Sequence, residues 1–225
     1  MKIETIRIKG FAISIIVFPL MLLTGFLMHP DLLALEPLQT VEQLLSRFHN
    51  QPLYHIGHLI VMFSVPVIIV ALTGFMNVLN GKGKLLGFWG GIVGVFGAFI
   101  LAVDKGALCL VLSAFDTLPE AQFQEFAPFL KVIVNKEGLL WVVWLLPLLP
   151  IGAIIQAFGL MKEQFISKWQ GFCIVVGLLL LNNPDIELIS SIGAILMCVR
   201  YIPFGIRILQ GKMEPVLAGP QLAQA

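Results

Sequence analysis

The chain has 225 residues, of which 58% are hydrophobic and only 12% charged, with a formal net charge of +1. Ordinary soluble domains carry about 25% charged residues, so this chain has too few to cover a water-facing surface, and its near-neutral balance excludes nucleic acid as a partner. The composition is that of an all-α, polytopic membrane helical bundle whose first partner is the lipid bilayer.

Crossing a hydrocarbon core of about 30 Å takes about 20 apolar residues per helix. Six transmembrane helices are predicted, near residues 10–28, 54–79, 86–108, 138–160, 165–181 and 187–209. The apolar part of the first exceeds the usual secretory length and no small-x-small site follows it before MHPD, so it is expected to be retained.

Between the first two spans, EPLQTVEQLLSRFH (36–49) sets Leu38, Val41, Leu44, Leu45 and Phe48 at helical spacing, a short amphipathic helix at the outer face. The stretch FHNQPLYHIGHLIV (48–61) then holds three of the four histidines, and His29 ends the first span, so all four gather at one membrane face. His55 and His58 are three apart, which puts both imidazoles on one side of a helix and is compatible with a shared metal ion or ligand.

The third span presents a small-residue face, Gly90, Gly94 and Gly97, suited to close helix packing, to self-association or to docking on a larger membrane complex. Continued along the helix, that face reaches Asp104. Two structures compete there. If the span runs on to about residue 113, Asp104 is buried within reach of His58; if it stops near 105, Asp104 and Lys105 mark the outer interface.

Residues 119–134 place Phe123, Phe126, Leu130 and Ile133 on one face, a second amphipathic outer helix, and Glu137 opens the fourth span. The short fifth span runs into NNPDIE, where Pro184 marks a tight turn and Asn182, Asn183, Asp185 and Glu187 join Asp31 in the histidine layer. Cys109, Cys173 and Cys198 all lie in apolar segments without a CxxC pair and read as small buried hydrophobes.

With six spans, Lys2, Arg7, Lys9, Lys82, Lys84, Lys162, Lys168, Arg200, Arg207 and Lys212 share one side, while Arg47, Lys131, Lys136 and Lys105 fall toward the other. The bias predicts cytoplasmic N- and C-termini and fits a bacterial inner membrane. Residues 1–212 read as one transmembrane domain and 213–225 as a short flexible cytoplasmic tail.

The function expected from these features is non-catalytic: a pocket for lipid or a small molecule in the outer leaflet, built from His55, His58, Asp104, Glu137 and Asn182, or an accessory subunit of a larger membrane complex. The alternative is a metal-dependent membrane enzyme with His55 and His58 as ligands and Asp104 or Glu137 as a third. A small-solute transporter, with prolines freeing backbone carbonyls inside the spans, is the further alternative. No cofactor is specified: a metal ion fits the histidine pair, whereas haem, which wants ligands on facing helices, finds no supporting motif.

Overall fold

The structure is a computed structural model, and it describes residues 3–183 and 186–212. Lys2, Pro184, Asp185 and the tail expected from residue 213 lie outside the described residues. The described chain is helical with no strand. Four long helices are α1 (Ile3–Leu27), α3 (Pro52–Val78), α4 (Lys84–Lys105) and α10 (Glu187–Leu209); the shorter α8 (Leu148–Lys162) and α9 (Lys168–Leu181) complete the bundle.

Five segments are long and apolar enough to cross a membrane: Ile3–Leu27, Pro52–Val78, Lys84–Phe115, Gly138–Lys162 and Glu187–Leu209. The predicted fifth span is the exception. At 14 residues, α9 reaches only about 21 Å.

Neighbour contacts run from α1 to α3, α4, α8, α9 and α10 and back to α1, so the six helices close into a ring. Glycines set how near the seams come. A Cβ on Gly57 would sit 2.7 Å from the Gly25 carbonyl oxygen between α3 and α1, and one on Gly193 would sit 2.6 Å from that of Gly177 between α10 and α9. Between α4 and α8, a Cβ on Gly90 would lie 2.7 Å from the Gly152 carbonyl oxygen, and one on Gly97 would run into the backbone of Leu149. The glycine face of the third span is therefore filled inside the molecule by α8, and with it goes the reason for expecting self-association through that face. Gln156, buried in the same seam, donates through Nε2 to the carbonyls of Leu72 (2.9 Å) and Gly87 (3.0 Å), tying α8 to α3 and α4.

At the end carrying the N-terminus of α1, the loop GKGK (81–84) is held by Glu163, whose Oε1 accepts from the Gly81 and Gly83 amides at 2.6 and 2.9 Å. The other end, where the histidines lie, has irregular backbone. There α4 continues through a π-helical turn, Gly106–Val111, into α5 (Leu112–Phe115). The fourth span starts as an eight-residue 3-10 helix, Gly138–Leu145, although such runs rarely exceed about 3–4 residues. Pro147 and Pro150 lack the amides that a regular helix would need at this point.

Both amphipathic segments form and cover the histidine end. The first is α2 (Val41–Phe48), opened by a reciprocal cap between Thr40 and Gln43. The second is α6 (Glu120–Phe126), a 3-10 turn and α7 (Lys131–Val134). Leu44 and Phe48 of α2 pack with Tyr54, Leu112, Phe123 and Leu130 into a small core separate from the main one inside the ring.

Candidate functional site

The ring is not solid. A cavity of about 410 Å³ runs inside it, within the size range of small-ligand pockets. Its deep part is apolar, walled by residues such as Leu22, Ile68, Ala71, Leu72 and Met197, and its floor is aromatic. Phe18 and Phe75 stand 5.3 and 6.0 Å, centroid to centroid, from Tyr201, and Phe11 and Phe204 back Phe75 from behind. The polar wall lies at the histidine end: His29, Arg47, His58, Asp104, Lys105 and Glu187 all line the cavity there.

Asp104 is 5% exposed. The helix that carries it extends without a stop to Phe115, so of the two alternatives the buried one is realised. The π turn begins two residues further on, and both it and the 3-10 segment contribute to the cavity wall through Leu108 and Val143. Irregular backbone at membrane depth is tolerated where it lines a cavity or is covered by protein, and π turns are frequent at functional sites.

Two opposite-sign pairs stand here, Arg47 Nε 2.6 Å from Asp31 and Lys105 Nζ 3.0 Å from Asp104, and His29 Nδ1 lies 3.3 Å from Glu187. His29 also lies against His58 (4.7 Å between ring centroids) and Tyr54 (5.0 Å), while Tyr54 and His58 are 4.2 Å apart. Burial, then the positive charges of Lys105 and Arg47, pulls the His29 imidazole down to about 3 despite the nearby Glu187. At neutral pH the ring is uncharged, and its contact with Glu187 is one between a neutral ring and a carboxyl group.

The five residues expected to form one pocket are divided. His58, Asp104 and Asn182 line the cavity. His58 is fixed by its Nδ1, 3.1 Å from the Tyr54 carbonyl. Glu137 is exposed and accepts a hydrogen bond from Asn135 Nδ2 at 2.9 Å, away from the cavity. His55 also turns elsewhere. Its Nε2 lies 3.2 Å from Asp116, which is also 2.8 Å from His49 Nδ1 and accepts from the Asn50 amide at 3.1 Å. Asn50 has the left-handed φ of 57° that this turn requires. The histidines thus form two groups, His29 with His58 inside and His49 with His55 around Asp116.

This division separates the two imidazoles expected to share a metal. Among the described residues no group of three His, Cys, Asp or Glu side chains has an arrangement that could hold a metal ion.

Arg47 and Lys105, which charge bias assigns to the outer side, line the cavity at its histidine end. The sequence did carry a signal for Arg47. It falls on the same side of α2 as Leu44 and Phe48, the two residues that pack inward, and it is itself buried.

The mouth is marked by lining residues that also face outward. Trp144 is 64% exposed, Asn182 is exposed, and Lys136 holds its Nζ 4.4 Å from the centre of the Trp144 ring. The opening therefore lies between the 3-10 segment and the end of α9.

No protein-family model matches this chain, and neither does any curated protein or solved structure.

Proposed function

We propose that this chain is a non-catalytic binding protein of the membrane, whose internal cavity holds one small amphipathic molecule. One observation carries this reading: a cavity inside the ring that is apolar over most of its length, with its charged groups and imidazoles gathered at one end. A molecule with an apolar body and a polar head matches that division, since each part would meet surroundings that replace what it loses on leaving lipid and water. The Lys and Arg bias supports placing the protein in a bacterial inner membrane with both termini cytoplasmic, which puts the polar end of the cavity in the outer leaflet. An accessory role beside larger subunits is compatible with such a site, the bound molecule then being shared with a partner.

Protein purified in mild detergent, without chelators or a histidine tag, tests the proposal by native mass spectrometry, organic extraction and elemental analysis. The expected result is one amphipathic molecule per chain, lost in Ala153→Phe, which fills the cavity wall. A stoichiometric metal lost in His58→Ala would replace this reading with the metal-dependent enzyme. A chain that carries and takes up no organic molecule would refute it.

A further inference from the structure

Resting on that reading, the shape of the cavity narrows the class of ligand. Glu187 at the polar end and Tyr201 at the floor both belong to α10 and both line the cavity. Fourteen residues of helix separate them, about 21 Å at 1.5 Å per residue. One leaflet of hydrocarbon is about 15 Å deep, so the cavity has the length of a single lipid tail together with a small head group. The volume of about 410 Å³ is spread along that length, so the space is elongated.

The head end sets a second condition. Arg47 with Asp31 and Lys105 with Asp104 already stand in contact at 2.6 and 3.0 Å, and the His29 and Glu187 side chains are 3.3 Å apart. A phosphodiester seated against these pairs would have to draw a cation away from its carboxylate inside a buried wall, where breaking such a pair is costly, and Lys136, a further lining cation, stands apart at the mouth over Trp144. A hydroxyl or carbonyl oxygen can instead add a hydrogen bond without disturbing the charges. We infer that the ligand is a single-chain amphiphile with a compact, uncharged oxygen-bearing head, seated head-first at the histidine end with its tail running to the floor of Phe18, Phe75 and Tyr201. Such a molecule would enter by the mouth at Trp144.

On this geometry the cavity measures chain length. Each methylene that reaches the deep wall adds packing contacts until the tail meets the floor. Beyond that length an added methylene has no space. The test uses monoacylglycerols of increasing chain length as probes, with affinities read by displacement of a fluorescent single-chain analogue from the purified protein and dioleoyl phosphatidylglycerol as a two-tailed competitor.

The expected result is a steady rise with chain length followed by a plateau or fall, with no displacement by the phospholipid. Ala71→Phe, which narrows the deep wall, should end the rise at a shorter chain and cost the longest chains about tenfold or more while leaving the shortest unchanged. Tyr201→Leu opens the floor and should move the optimum to a longer chain, so the inference remains testable if one variant fails to fold. Equal displacement by the phospholipid, or an optimum unmoved in both folded variants, would overturn the single-chain inference and leave the binding role standing. If no monoacylglycerol binds and extraction yields no amphiphile, the binding role fails with it.

Discussion

Gly152→Ala tests the seam on which the cavity depends. A Cβ at this position would collide with the backbone nitrogen and Cα of Gly94 and lie 2.5 Å from the Gly90 carbonyl oxygen. All three obstacles are main-chain atoms of α4, so no side chain can swing aside and the two helices must part. Overpacking of this kind costs about 1–3 kcal/mol. Displacing α8 also pulls on the two hydrogen bonds of Gln156, one turn along, each worth about 1 kcal/mol. A total near 3 kcal/mol is expected, which in a chain of this size lowers the melting temperature by about 6–12 °C. Thermal unfolding in detergent, followed with a thiol-reactive dye, reports the exposure of Cys109 and Cys198, both buried. Gly10→Ala is the control: nothing lies within 4 Å of the added methyl, and relief of the helical glycine should stabilise by about 0.5–1 kcal/mol. A Gly152→Ala protein that melts with the parent would refute the account of the seam.

Asp116→Asn should loosen the turn that joins α2 to α3, because the carboxylate holds His49, His55 and the Asn50 amide together. Faster amide exchange at residues 49–51, with the deep bundle unchanged, is the expected outcome, and unaltered protection would contradict it. The same carboxylate predicts an acid dependence. Burial, the largest influence, pushes Asp116 upward, but the Asn50 amide and the two imidazoles together hold it below the usual aspartate value. Its contribution is therefore complete above about pH 4 and disappears as pH falls through the lowered value. Exchange in the turn should rise in that window in the parent and show no such step in the Asn variant. Trp144→Ala removes the cation–π contact at the mouth, worth about 0.5–1 kcal/mol, so release of a fluorescent single-chain probe should accelerate about two- to fivefold with little change in the affinity of the seated molecule. An unchanged release rate, measured by stopped flow, would place the way in elsewhere.

The all-α bundle and its long apolar helices were legible because transfer of apolar residues into lipid depends on composition and length, which a sequence states directly. The capping role of the two amphipathic segments followed from periodicity: Leu44 with Phe48 and Phe123 with Leu130 share the small core at the histidine end. The site was legible only in part. Spacing on a helix places His55 and His58 on one side, but the width of that side lets one ring reach Asp116 and the other the cavity. Which occurs depends on where the end of α4 arrives, a tertiary fact. Asp104 turned on whether a helix ends or continues through a π turn, and the composition of GALCLVLSAF is apolar either way. That Arg47 and Lys105 also line the cavity was not legible from charge bias, which assigns a side of the membrane and not the direction of a side chain.

The shortness of α9 bears on the membrane itself. At about 21 Å it falls well below the hydrocarbon thickness its neighbours in the ring can span, and the cavity mouth at Trp144 and Asn182 lies at its end. A bilayer accommodates such a mismatch by thinning where the short element meets it. Lipid beside this helix would be compressed and its packing loosened, so a molecule there already bears part of the cost of leaving the leaflet. On the proposed reading, the short helix would thin the bilayer at the place in the ring where the cavity has its mouth.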